Sequence, residues 1–242
     1  MMFHLLNCAS RAILGVFAAL LLAPILSAAD APTEKAKPAQ KASAASPSAK
    51  WEKEIQAFEA ADKKQMPPEG AVLFTGASGI RMWKSLATEF PDQKVINRGF
   101  GGSEMADAVY FAERIVIPYK PRLIVIQAGG NDINNGKSPE QVLADFKAFV
   151  ATVRAKLPDV RIAFLSMNPS PSRWSQREKQ QRGNQLVKDY IASEKNLDYI
   201  DFWDAMLGPD GQPREDLFIQ DRLHNNAAGY KIRADIVRPH VK

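Results

Sequence analysis

Five short runs of apolar and β-branched residues recur along this chain, and each gives way to a segment with helical spacing. They fall at 71–75, "KVINR" (94–98), "RLIVIQA" (122–128), "RIAFLSM" (161–167) and "LDYIDF" (197–202). Runs of this length, several of them almost continuously apolar, read as strands buried on both faces. The segments between them, 79–89, 104–115, 139–156 and 174–193, and the closing "NAAGYKIRADIVRPHV", carry helix-like patterns. A strand that returns through a helix to a parallel neighbour builds a sheet covered on both sides, so the expected fold is α/β, a three-layer α/β/α sandwich. A further amphipathic helix precedes the first strand in "WEKEIQAFEAADKK", with Trp51, Ile55, Phe58 and then Ala61 or Asp62 on one face.

The front of the chain has a different character. Residues 1–11 carry one Arg and no acid, residues 12–26 are apolar, and Ser27–Ala29 supplies small residues, the pattern of a secretory signal peptide over 1–29 cleaved after Ala29. An uncleaved anchor is the alternative, although the apolar run contains Pro24 and is shorter than the roughly 20 residues a spanning helix needs. Cleavage would leave no stable membrane span, and the expected destination is the periplasm or the exterior of the cell. Cys8, the only cysteine, would leave with the signal, so the exported chain would form no disulfide.

Residues 30–50, "DAPTEKAKPAQKASAASPSAK", have nothing larger than alanine to bury and read as a flexible linker. Of the formal charge of +5, Arg11 and this linker carry all but about +2, so the domain over 51–242 is nearly balanced. That excludes the clustered basic surface of a nucleic-acid partner.

In an open parallel sheet, ligands bind at the carboxyl ends of the strands, where loops and helix amino termini converge. Three small-residue turns fall there: "GASGI" with Ser78 after the first strand, "GFGGS" (99–103) after the second, and "GGND" (129–132) after the third. A serine hydroxyl becomes a useful nucleophile beside a histidine that a carboxylate orients. Without the leader only His224 and His240 remain, and His240 sits in a helix tail as a surface residue. His224 lies in "LFIQDRLHNNAAGY" with Asp221 three residues ahead, close enough on one turn for the carboxylate to meet Nδ1 and leave Nε2 for Ser78. Donors for a developing oxyanion are available from the backbone N–H of Ser78, from the glycine turn at Gly102 and from the side-chain amide of Asn131. Each piece has a plainer use: the glycines make tight turns, "ND" caps a helix, and Asp221 shapes a loop. Together, in this order and on one rim, they match what a single mechanism requires. No cysteine, and no histidine besides His224 and the distant His240, accompanies the acids of the domain, so no metal-ligand set is evident.

Over roughly residues 70–240 this succession, glycine-x-serine, a glycine turn, "GxND" and "DxxH", resembles the SGNH hydrolase superfamily, the GDSL-like lipases and acylhydrolases. "NRGFGGSE" and "DRLHNNAAGY" are similar to its platelet-activating-factor acetylhydrolase-like and lysophospholipase-like branch. The resemblance implies a flavodoxin-like sheet of five parallel strands, no metal or organic cofactor, Ser78 as nucleophile, His224 as base, Asp221 orienting it, and Gly102 and Asn131 completing the oxyanion hole with Ser78. It departs from the family pattern at Ala77, where an aspartate is usual, at Gly79, where serine is common and a glycine would loosen the turn, and at Gly130, where threonine is usual. The α/β-hydrolase fold fits less well, because "GASGI" lacks the G-x-S-x-G spacing.

The function expected on these grounds is that of a secreted serine esterase working through an acyl-enzyme on a small-molecule, glycan or lipid ester, such as an O-acetylated sugar or a lysophospholipid. A second expectation is a carbohydrate- or cell-wall-binding module of the same fold with an impaired site. Arg81, Trp83 and Arg98 are candidates to line a pocket, with Trp83 equally suited to the core, and "NPSPSRW" (168–174) lies on the rim that would touch substrate. Acyl length, the alcohol half and the oligomeric state are not fixed by the sequence.

Overall fold

The computed structural model describes residues 46–242; the leader, Cys8, Arg11 and the linker before Ser46 lie outside the described residues. Strands β1 (Val72–Gly76), β2 (Val95–Gly99), β3 (Leu123–Gln127), β4 (Arg161–Leu165) and β5 (Leu197–Ile200) form one sheet in the order β2-β1-β3-β4-β5. Every pair is parallel. Successive side chains of a strand point to opposite faces, so each strand feeds two cores. Leu73, Ile124, Ile126, Ile162 and Phe164 face one side, while Val72, Phe74, Val125, Ala163 and Leu165 face the other.

Helices α1 (Glu52–Lys64), α4 (Met105–Ile115), α6 (Pro139–Arg154) and α7 (Arg177–Ala192) cover the first side. The short helices α2 (Ser78–Arg81) and α3 (Leu86–Glu89) and the closing helix α8 (Ala227–Val237) cover the second. Helix α5 (Gly130–Asn134) is a short turn at the end of β3. The three-layer sandwich and the flavodoxin-like sheet of five parallel strands are therefore present. The chain leaves β1 for β2 on one side and returns to β3 on the other, so the carboxyl ends of β1 and β3 flank the crevice where the winding reverses.

The helix expected over 79–89 is broken in two. Trp83 turns into the core, fully buried, edge-on to Phe74 and Phe90 at 5.7 and 6.0 Å and stacked on Tyr230 at 5.4 Å, and the chain leaves the helical path to put it there. The helix expected to begin at 174 starts at Arg177, because Arg173 holds a non-helical backbone within the 3-10 turn Pro171–Gln176. The last helix becomes a 3-10 turn at Arg238–Val241, where Pro239 has no N–H to continue the ladder.

The amino-terminal boundary is also corrected. Residues expected to belong to the flexible linker, Pro47 to Lys50, form a 3-10 turn with Trp51 that packs on the domain. Ser48 is buried and its Oγ donates to Asp107 Oδ1 at 2.6 Å, while Trp51 Nε1 donates to Oδ2 at 3.0 Å. The same Asp107 accepts from the backbone N–H of Glu104 at 2.8 Å and closes a capping box on α4. Small size does not make serine a linker residue when a buried carboxylate is waiting for its hydroxyl. Replacing Asp107→Ala removes all three bonds, and a loss of about 1–3 kcal/mol in urea unfolding is expected; an unchanged midpoint would show that the turn at Pro47–Trp51 contributes nothing to the domain.

Candidate active site

β1 ends on a glycine because nothing larger fits. Gly76 has φ +116°, and a Cβ there would lie 2.0 Å from the carbonyl oxygen of Gln127. The break is fastened to both neighbouring strands: Ala77 N donates to Gln127 O at 2.9 Å, and Phe100 N donates to Gly76 O at 3.0 Å. The chain turns at once into α2, with Ala77 as its extended cap and Ser78 as its first residue.

His224 Nε2 lies 2.8 Å from Ser78 Oγ, across 146 residues of sequence. Its Nδ1 lies 2.6 Å from Asp221 Oδ2. A carboxylate only accepts, so Nδ1 carries the proton and Nε2 is free to accept from the serine hydroxyl. The other oxygen of Asp221 accepts the backbone N–H groups of Leu223 and His224, both at 2.9 Å, which closes the turn that holds acid and imidazole together. Partial burial acts to raise the Asp221 carboxyl. The hydrogen bonds from the His224 ring and the two amides outweigh it and hold the group below the usual carboxylate range.

Of the expected oxyanion donors on the other two loops, Asn131 lines the cleft and Gly102 does not. Asn131, at the start of α5, donates Nδ2 to Ser103 O at 2.9 Å, and its Oδ1 accepts from Arg173 Nη2 at 3.0 Å. The amide is thereby fixed with its nitrogen toward the second loop. Gly102 is exposed beside it, with a Cβ position only 3.7 Å from Asn131 Nδ2; it does not itself wall the cleft. Asp132 does more than cap. Fully buried, it accepts from Met105 N at 3.2 and 3.1 Å and from Lys137 Nζ at 3.0 Å, and Lys137 also meets Glu104 at 2.9 Å. This ties the third loop to the start of α4 and so to the glycine turn. Burial pushes the Asp132 carboxyl up against the downward pull of Lys137.

Ser78, Asn131 and His224 line one cleft of about 70 Å³, together with Ala128, Met167, Asn168, Leu223 and Arg173. "NPSPSRW" therefore does reach the site, through Asn168 and Arg173, while Trp174 packs on Trp203 at 6.3 Å. Arg98 does not: it faces α1, paired with Asp62 at 2.5 Å and with the Tyr119 hydroxyl at 2.7 Å. Arg81 and Trp83 lie outside this cleft as well.

A residue with no sequence signature beyond its helical spacing stands beneath it. Arg233 on α8 is fully buried, with its guanidinium 4.9–5.2 Å from the rings of Trp83, Phe202 and Tyr230. It donates to Gln127 Oε1 at 2.5 Å, to Asn225 Oδ1 at 3.3 Å and to Gly79 O at 3.4 Å. Burial pulls it down to about 10, and it remains a cation at neutral pH, held by ring faces and neutral acceptors. Its partners adjoin Ser78 and His224 in sequence, so one side chain grips both turns. The Gly79 carbonyl also accepts the Tyr230 hydroxyl at 3.1 Å, and a Cβ at Gly79 would come within 2.8 Å of Gln127 Oε1. Gly79 is thus tightly held, contrary to the expectation that a glycine would loosen the turn, and of the changes near Ser78 that suggested an impaired module this one loses its reason.

A serine, an imidazole and a carboxylate thus stand in line on the rim of an open parallel sheet, with Asn131 lining the same cleft. The model of the GDSL-like lipase/acylhydrolase family matches residues 69–232, and the chain belongs to that family and is an ester hydrolase. Platelet-activating factor acetylhydrolase IB subunit alpha1 of Pongo abelii is 29% identical over 183 residues, covering 70% of this chain and 74% of that protein. Among solved structures, a GDSL-like lipase from Bacteroides thetaiotaomicron superposes with a TM-score of 0.66 at 18% identity, covering 77% of this chain and 96% of that one. A carbohydrate esterase family 3 protein from Talaromyces cellulolyticus superposes with a TM-score of 0.55 at 16% identity, covering 70% of this chain and 94% of that one. Both structures share the fold.

Replacing Arg233→Leu strands the three acceptors it serves, and a loss of about 2–4 kcal/mol in denaturant unfolding is expected, with esterase activity falling alongside; full retention of both would show that the two turns hold themselves. Because the folded Asp221 carboxyl lies below its unfolded value, its contribution to stability is present above about pH 3.9 and is lost as pH falls through the folded value. The Tm deficit of Asp221→Asn is therefore expected at neutral pH and should shrink as pH is lowered from about 4 toward 2; a deficit independent of pH would contradict this linkage.

Proposed function

We propose that the protein hydrolyses short-chain acyl esters, acetyl esters above all, through a covalent acyl-enzyme on Ser78. The unbroken contacts from Ser78 Oγ to His224 Nε2 at 2.8 Å and from His224 Nδ1 to Asp221 Oδ2 at 2.6 Å carry this reading. In the first half-reaction the serine oxygen bonds to the ester carbonyl carbon as its proton passes to Nε2. Asp221 stabilises the resulting imidazolium and keeps its proton on Nδ1. The carbonyl oxygen, now an oxyanion, is met by the backbone N–H of Ser78 and the side-chain amide of Asn131, the two expected donors that line the cleft. Collapse of the tetrahedral adduct breaks the bond to the alcohol, which departs with the proton from Nε2. Water, deprotonated by the same nitrogen, then releases the acid and restores the serine.

The size of the cleft supports a small acyl group. Its 70 Å³ is about half the roughly 150 Å³ that admits a benzene ring in an engineered cavity, which suits an acetyl group better than a long chain. The relative named for acetylhydrolase activity points the same way, and O-acetylated sugars or acetylated lipids are the substrate classes favoured. We also propose export, on the composition of residues 1–29; amino-terminal sequencing of the protein from its host should begin at Asp30.

Hydrolysis of p-nitrophenyl esters from acetate to laurate tests the reading. kcat/KM should be highest for acetate, and Ser78→Ala or His224→Ala should lower kcat by about 1,000-fold or more. A folded parent that is inactive on every ester and unlabelled by a fluorophosphonate would overturn the mechanism, and a preference for laurate would overturn the size argument.

A further inference from the structure

Among the described residues, the walls of the cleft hold no carboxylate, yet they include two arginines, Arg173 and Arg233. Arg233 is committed: its guanidinium is enclosed by three aromatic rings and donates to Gln127, Asn225 and Gly79. Arg173 is not. The one hydrogen bond of its side chain is to the neutral Oδ1 of Asn131, and no acidic side chain among the described residues lies within 4.0 Å of it, whereas Arg98, Arg114 and Arg222 all have acidic partners. Its side chain lines the cleft and is joined by that bond to the amide expected to receive the oxyanion.

The backbone opposite makes room for it. The family pattern has threonine where this chain has Gly130, and even a Cβ there would lie 3.6 Å from Arg173 Nη1. Gly130 and Arg173 line the same cleft, and threonine would add two branches beyond that Cβ.

We infer that Arg173 is a specificity-determining residue that binds an anionic group, a carboxylate or a phosphate, carried by the ester substrate next to its scissile carbonyl. Guanidinium offers paired, charge-assisted N–H bonds to either anion. An anion bound there would supply the counter-charge that the protein withholds. Burial already pulls the Arg173 guanidinium down from its ordinary value, and such a partner would reverse that pull. The inference rests on the esterase reading and narrows it: small esters of neutral alcohols would be poor substrates, and acetyl esters of acidic sugars or of phosphate-bearing alcohols good ones.

Three acetyl esters with similar leaving groups test this: 4-acetoxybenzoate, 4-acetoxyphenyl phosphate and the neutral 4-acetoxybenzamide. The parent should favour one or both anions over the amide by about tenfold or more in kcat/KM, mainly through KM, and the favoured one identifies the anion. Because Arg173 also holds Asn131, the readout is this anion-to-neutral ratio and not the absolute rate. Arg173→Gln should bring the ratio close to one, Arg173→Lys should restore part of it, and Gly130→Thr should reduce it. Arg182→Gln, which removes a distant surface cation of α7, should leave it unchanged. Equal kcat/KM for all three esters in the parent, or a ratio that survives Arg173→Gln, would overturn the inference while leaving the esterase mechanism intact. A binding measurement separates it from turnover: calorimetric titration of Ser78→Ala with benzoate and with inorganic phosphate, beside benzamide, should show anion binding that Arg173→Gln abolishes. If neither anion binds more tightly than benzamide, the inference fails even where the esterase mechanism stands.

Discussion

Everything in the site depends on how β1 ends. The strand is hydrogen-bonded along both edges, to β2 and to β3, so its last residue cannot drift and its exit has to be made in one step. Gly76 makes that step against the carbonyl of Gln127, and the serine two residues later inherits a fixed position. The neighbouring strands end level with it, Gly76 opposite Gly99 and opposite Gln127. Three loops therefore start from one line, and the chemistry of the rim is a matter of what each loop carries away from it.

The loops are then held by buried polar groups rather than by apolar packing. Asp132 and Lys137 join the loop after β3 to the start of α4, and Arg233 joins the turn at Gly79 to the residue after His224. Leaving either network half-satisfied would be costly in a low-dielectric interior. The protein thus places ions where a hydrophobic contact would be less directional, and the directions lead to Ser78, Asn131 and His224.

Much of this was legible in the sequence, and the limits have physical causes. The strands announced themselves because a parallel strand is buried on both faces, Ser78 and Asn131 because small and polar residues interrupt apolar runs where the sheet must end, and the contact of His224 with Asp221 because three residues separate them on one turn, while Gly102, expected beside them, lies outside the cleft. The kink after Arg81 was hidden, since Trp83 satisfies a helical pattern until its ring meets Phe74 and Tyr230. The folded turn at Ser48 was hidden because its composition is that of a linker, and its partner Asp107 is 59 residues away. Arg233 recurs with Tyr230, Ala234 and Val237 at helical spacing, so a cation on an otherwise apolar stripe was its only trace. Arg173 could be placed on the rim, but its lack of an acidic partner exists only in three dimensions.

Asp221 and His224 sit on a single tight turn, whereas Ser78 comes from the opposite end of the domain. The distance between carboxylate and imidazole is thus an internal property of one loop, and the distance from imidazole to hydroxyl is a property of the whole fold. Of the two contacts, the one within the loop is set by three residues of chain, and the one across 146 residues is set by the packing of everything between.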